Sequence, residues 1–411
     1  MVGTIKQAPL AQLVLFGLMF GALSNKGYAR EFARIPDENY SVNYVQCQDG
    51  ATERLVHLSR PGAPVVLMEP GLGAHAMSLE RPATRLFEQG FDVYIGAWRG
   101  SAPIPEEFSA LGQGRNGLKE VLRVDLPCHL REVLSQMSDA QKSDGIRLLG
   151  HSMGGMMIAG TLSDPALKAE FAPFIRAVAL YQSPHNVRYL RTFMSGVARA
   201  GLVVIEQLRR GGYDVLDTHS RLMQLSLNAK KNGNLLARLS ARALEEFAIL
   251  LTNAAVSSPH TGRRYMRRAF FKMTAHSVPL DLLEDFARAV LTDGEFRSHD
   301  AELLIQPEVA FAGIPVFQVS ARHDQLAPLE EQKQYFARLG SEQKAMLLLE
   351  DMNHIDAVLD TKGHVSFFHH VIGFFTNPRN LVSAQPRVIV EKSACEGLLR
   401  RLAKRVRPAF L

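Results

Sequence analysis

The sequence predicts an α/β protein: a mostly parallel β-sheet with helices on both faces and a helical cap inserted late in the chain. Three observations predict it. From residue 39 onward, short apolar runs alternate with amphipathic helical stretches, as parallel strands joined by crossover helices require. The alternation stops over residues 186–307, where the pattern is almost wholly helical. It then resumes and runs to residue 378.

The composition suits such a fold. The 411 residues are 46% hydrophobic and 21% charged, enough for one large core with an inserted subdomain and too apolar for a disordered chain. The net charge of +6 is concentrated in the tail after Pro386, and no nucleic-acid-binding motif accompanies it, so no nucleic-acid partner is expected. Cys47, Cys128 and Cys395 are widely separated, with no C-x-x-C pair. Either one disulfide or three buried thiols fits, and buried thiols are the plainer expectation. The histidines include no H-E-x-x-H pair, and neither metal nor cofactor is expected.

In chain order, residues 1–38 form an N-terminal extension. Lys6 precedes an uncharged run over residues 7–24, with small residues at Ala22 and Ser24. This resembles a secretory signal and is short for a transmembrane helix, so export or membrane association is expected ahead of a cytoplasmic location. Residues 39–185 form the first part of the core. Within it, 40–46 and 53–58 read as strands around an Asp49-Gly50 turn, and 64–68, 92–97, 146–149 and 175–181 as further strands. Residues 119–138 and 153–162 read as helices. Residues 186–307 are the cap, with amphipathic stretches at 235–251 and 280–291. Residues 308–378 complete the core with strands at 314–320 and 344–349 and helices at 329–339 and 364–375. Residues 379–411 are a basic tail, whose leucines at helical spacing fit peripheral contact with an anionic membrane or docking on the domain.

The chemistry centres on Gly150-His151-Ser152-Met153-Gly154-Gly155, which follows an apolar strand and opens a helix. G-x-S-x-G in that setting is a nucleophile elbow: a turn so sharp that flanking residues must lack bulk, which lifts the Ser152 hydroxyl to a helix N-terminus. A serine hydroxyl needs a base, and the base needs an orienting carboxylate. Each belongs in a loop at the carboxyl end of a later strand. Asp324 lies after the 314–320 strand and is the expected acid, with Asp293 and Asp300 as weaker candidates. His354 lies after the 344–349 strand and is the expected base. His364, His369 and His370 read as packing or surface residues, His323 precedes the acid, and His151 reads as a structural neighbour. The oxyanion donors expected are the N–H groups of Met153 and Leu72, the latter between Gly71 and Gly73.

With these motifs in place, the chain resembles the α/β-hydrolase superfamily across residues 40–378. The resemblance is carried by Pro70-Gly71-Leu72-Gly73, Gly90-Phe91-Asp92-Val93-Tyr94, Trp98-Arg99-Gly100-Ser101, the elbow, Asp324 and Asn353-His354-Ile355-Asp356. Within the superfamily it looks like the lipase and esterase branch that includes acid lipases and the related polyester synthases. The resemblance implies an eight-stranded sheet with a cap between the sixth and seventh strands. Many members have His-Gly where this chain has Pro70-Gly71, and polyester synthases use cysteine where this chain has Ser152.

The expected activity is therefore hydrolysis of carboxylic esters, on a small-molecule or lipid substrate with an apolar acyl or alcohol part. A large cap favours such substrates because closure excludes water. Acyl transfer through the same acyl-enzyme, or ligand binding without catalysis, are the alternatives.

Overall fold

The computed structural model describes residues 35–217, 277–359, 368–381 and 387–391. The signal-like segment, the 235–251 cap stretch, His364, Cys395 and the leucine-bearing end of the tail lie outside the described residues.

The chain opens with β1 (Tyr40–Gln46) and β2 (Thr52–Leu58), an antiparallel pair turning at Gly50, where φ is +87°. It continues through β3 (Val65–Glu69), α1 (Glu80–Glu88), β4 (Asp92–Ile95), α2 (Leu126–Gln136), β5 (Ile146–His151), α3 (Met153–Ser163) and β6 (Ile175–Tyr181). The cap leaves through α4 (Arg191–Arg210) and β7 (Val215–Asp217), and returns through β8 (Ser277–Pro279) and α5 (Leu280–Leu291). The core then closes with β9 (Val316–Ala321), α6 (Leu329–Arg338), β10 (Lys344–Leu349), α7 (Phe368–Thr376) and β11 (Arg387–Glu391).

The main sheet has the order β1-β2-β4-β3-β5-β6-β9-β10-β11. β1, β2 and β4 pair antiparallel, and every pairing from β4 onward is parallel. Because strands point side chains alternately to opposite faces, each strand feeds two cores. Val65, Leu67, Leu148, Val178 and Leu180 meet α2 and α3 on one face. Val66, Met68, Leu149, Ala179 and Val319 meet α1 and α7 on the other. The residues of α3 are buried all round, as its almost continuously apolar sequence demands.

Two expectations need correction. The sheet has nine strands rather than eight, because residues 387–391, assigned above to the basic tail, pair in parallel with β10. Val388 and Val390 there remain 58% and 52% exposed, so the strand is held by its ladder rather than by burial. At the root of the cap, β7 and β8 add a short antiparallel ribbon to the described helices. Cys47 and Cys128 form a disulfide instead of standing as thiols. It spans 81 residues, for which the chain-entropy relation gives about 4.5 kcal/mol of stabilisation.

The fold positions a site by its topology. From β3 the next strand, β4, lies on one side, and β5 lies on the other. Loops leaving the carboxyl ends of β3 and β5 therefore diverge, and such a divergence leaves the crevice where open α/β sheets bind ligands.

Candidate active site

Ser152 sits at the carboxyl end of β5 with φ +52° and ψ −117°. A non-glycine residue held there stores about 1–3 kcal/mol of backbone strain, which the surrounding structure must over-determine. It does so by close contact. Ser152 N donates to Tyr181 O at 2.8 Å. A Cβ on Gly150 would lie 2.4 Å from the Gly155 nitrogen, and one on Gly154 would lie 2.1 Å from the Glu69 carbonyl oxygen. Gly150 thus admits the following helix, whereas Gly154 admits the neighbouring strand β3, a partner the sequence did not reveal.

The structure brings Ser152, His354 and Asp324 together. His354 Nε2 is 2.9 Å from Ser152 Oγ, and its Nδ1 is 2.8 Å from Asp324 Oδ2. Asp324 and His354 are each 4% exposed. The other carboxylate oxygen, Asp324 Oδ1, accepts from the amides of Leu326 and Ala327, both at 2.8 Å. A carboxylate only accepts, so His354 Nδ1 carries the proton and Nε2 faces the serine hydroxyl as acceptor. Asp300 and Asp293 are exposed and elsewhere engaged: Asp300 pairs with Lys119, and Asp293 caps its own turn. His323 is exposed, and His369 and His370 lie with their rings close together and tilted in α7.

The loop that carries His354 is clipped in place by residues that carried no such assignment in the sequence. His151 Nε2 donates to the His354 carbonyl at 3.0 Å, and Gln182 Nε2 donates to the Asn353 carbonyl at 2.8 Å. Gln182 itself has φ +48°. Within the loop, His354 N donates to Asn353 Oδ1, and Asn353 N donates to Asp356 Oδ2. His151 is visible in the motif as a neighbour of Ser152, but nothing in the sequence marks Gln182, because its role depends on where β6 ends.

Burial, then the nearby His354, pushes the His151 imidazole down to about 3. Burial and Arg338 push His185 down to about 4. Both are neutral in the fold and free to take a proton when unfolded, near the ordinary value of about 6.5. The unfolded chain binds more protons below that value, so stability falls as pH drops, at up to about 1.4 kcal/mol per pH unit for each histidine. Urea denaturation between pH 6.5 and 4 should show this slope, and His151→Gln, which keeps a donor toward the His354 carbonyl, should make it shallower. Identical slopes in the two proteins would refute the assignment.

The loop after β3 passes directly over the serine. A Cβ on Gly71 would lie 3.1 Å from Ser152 Cβ and 3.2 Å from His151 Nδ1. Gly73 has φ +73°, which glycine adopts without cost. Leu72, half-buried between them, and Met153, first residue of α3, are the sequence-predicted donors. The Met153 N–H has no carbonyl acceptor within its own helix, as is general for a first helical residue. Among the described residues no group of three or more His, Cys, Asp or Glu side chains is arranged to hold a metal ion.

The cap root is fastened to the core by polar contacts. Ser277 N and Oγ both bond the Gly100 carbonyl, and the α5 carboxylates Asp281 and Asp285 accept from the amides of Asn116 and Leu118. Arg209 at the end of α4 pairs with Asp281 and Glu284, tying the outgoing and returning legs together. Of the cap's apolar run, Ile205 is buried while Val203 and Val204 are exposed.

Over residues 60–260 the chain matches the family model described as serine aminopeptidase, S33. Among solved structures it is similar to DcsB in complex with its substrate analogue, with 18% identity and a TM-score of 0.50 over 82% of this chain and 99% of that one. It is also similar to an esterase from Exiguobacterium antarcticum, at 14% identity and a TM-score of 0.49 over 82% of this chain and 100% of that chain. A thermophilic esterase from Thermogutta terrifontis, malate bound, gives 14% identity and a TM-score of 0.47, over 82% and 98% of the two chains. No curated protein matches in sequence. At these identities the solved structures bear on the fold alone.

Proposed function

We propose that the chain, as a member of the α/β-hydrolase superfamily, hydrolyses carboxylic esters with Ser152 as nucleophile, His354 as base and Asp324 as acid. One observation carries the proposal: the unbroken hydrogen-bonded series from Asp324 through His354 to Ser152, ending on a strained elbow beneath a glycine-rich loop. Ser152 Oγ attacks the ester carbonyl carbon while His354 Nε2 takes its proton. The carbonyl oxygen becomes an oxyanion held by the N–H groups of Leu72 and Met153. Collapse expels the alcohol, which leaves with the proton from His354, and an acyl-Ser152 ester remains. Water, deprotonated by the same histidine, then attacks the acyl carbon; the acyl–Oγ bond breaks, Ser152 Oγ takes the proton back from His354, and the acid is released.

The expected substrate has an apolar acyl or alcohol part, because a large cap rooted over the sheet can exclude water from it. An alcohol or thiol in place of water would make the same intermediate an acyl donor, and product analysis with an added alcohol separates the two outcomes. The Cys47–Cys128 disulfide and the signal-like N-terminal sequence together support function in an oxidising, exported setting.

The test is labelling with a fluorophosphonate. Wild-type protein should be labelled and Ser152→Ala should not; equal labelling of both, or none of the wild type, sinks the nucleophile assignment. A panel of p-nitrophenyl esters of graded acyl length, with an aminoacyl anilide included because of the family match, then ranks the substrate classes.

A further inference from the structure

Beneath the loop that crosses Ser152 lies a group of buried charges that the reaction as written does not use. Glu69 is the last residue of β3 and the one before Pro70-Gly71-Leu72. Its Oε1 lies 2.9 Å from His129 Nδ1, and the opposite ring nitrogen, Nε2, lies 2.8 Å from Glu53 Oε2. The side chains of Glu53, Glu69 and His129 are at most 1% exposed. Space has been made for them: a Cβ on Gly96 would lie 2.5 Å from both Glu69 carboxylate oxygens and 2.6 Å from His129 Nδ1. Burial alone would depress the imidazole, but the carboxylates of Glu69 and then Glu53 outweigh it and raise it well above its ordinary range. Burial, then Asp125, raises Glu53. The group is thus a buried imidazole placed between two buried carboxylates, with Glu69 on Nδ1 and Glu53 close to Nε2.

Charges are costly to bury, and removing one partner of a buried pair is strongly destabilising, so such a group holds its members firmly together. Here the tethered residue is the base of the loop. The same loop is tethered a second time, by Trp98 Nε1 donating to the Gly71 carbonyl at 3.2 Å. The Glu69 carbonyl is the atom that abuts Gly154, in the first turn of α3. The height of the loop above the nucleophile is therefore set by contacts at Glu69 and Gly71, one of them made by His129.

We propose that His129 is a positioning residue: by holding Glu69 it seats residues 70–72 so that the Leu72 N–H meets the oxyanion formed at Ser152. The inference rests on the serine-hydrolase reading above, and the two fail differently. If fluorophosphonate does not label Ser152 in wild-type protein, that underlying reading falls. If it does, His129→Gln and Glu69→Gln are compared with wild type by kcat and KM on a short p-nitrophenyl ester, and by the inhibition constant of an alkyl boronic acid, whose tetrahedral adduct places an oxygen where the oxyanion forms. His129→Gln is expected to lower kcat by about 10- to 100-fold, less than the roughly 100- to 1000-fold that follows loss of an oxyanion donor, with KM within about threefold. Boronate affinity should fall by the same factor as kcat/KM, a correspondence that mere loss of stability would not produce. In the double variant the two amides can bond each other, so part of kcat should return. A folded His129→Gln protein with wild-type kcat per labelled serine and wild-type boronate affinity overturns the proposal. Should His129→Gln fail to fold, Glu69→Gln, which keeps the shape of its side chain, is judged by the same two quantities.

Discussion

Asp324→Asn should lower kcat by about ten-thousand-fold while leaving the protein folded and KM little changed. The size follows from the way the carboxylate is shared. Asp324 Oδ1 accepts two backbone N–H groups, from Leu326 and Ala327. An asparagine must present its carbonyl oxygen to those donors, which turns its NH2 toward His354. His354 Nδ1 then has to accept, and the ring proton moves to Nε2, facing Ser152 Oγ. A protonated Nε2 cannot take the serine proton, so the base is disabled by its tautomer rather than by displacement. Steady-state kinetics on the best ester of the panel, with thermal melts to verify folding, measures this. A fall of less than tenfold would mean that Asp324 does not orient the base.

Gly154→Ala is expected to have a large effect on stability. Its Cβ would lie 2.1 Å from the Glu69 carbonyl oxygen and 2.6 Å from the carbonyl carbon. Overpacking a core costs about 1–3 kcal/mol when side chains can shift, but here the obstacle is main chain. β3 cannot retreat, because it is hydrogen-bonded to β4 on one side and β5 on the other. A loss above about 3 kcal/mol in urea denaturation, or failure to fold, is therefore expected. Gly196, in α4, is the control: nothing lies within 4 Å of its Cβ position, so alanine there should be neutral or raise stability by up to about 1 kcal/mol. Equal effects at both positions would mean that the approach of α3 to β3 is not tight.

The hydrogen-bonded series at Ser152 was legible because each of its members follows a strand in a parallel sheet, and parallel strands carry successive loops to the same end. Order along the chain could therefore stand in for position in space. The supporting residues gave no such signal. A buried histidine within a helix, such as His129, follows no period that separates it from a packing residue, and its partners Glu53 and Glu69 come from two different strands. Gln182 is one polar residue after β6, and only its positive φ and its bond to the Asn353 carbonyl reveal what it holds. Val388-Ile389-Val390 is a short apolar run between charged neighbours, too brief to distinguish a ninth strand from a tail until the open edge of β10 was seen to receive it.

The sequence by itself determined the architecture, the elbow and the order of Ser152, Asp324 and His354, because alternation, glycine placement and strand-following loops are local patterns. Tertiary structure alone decided the Cys47–Cys128 pairing across 81 residues, the ninth strand, the contact of Gly154 with β3, and the tethering of the 70–72 loop by His129 and Trp98. These are contacts between segments distant in the chain, and which segments meet is fixed only when the whole sheet closes its two cores.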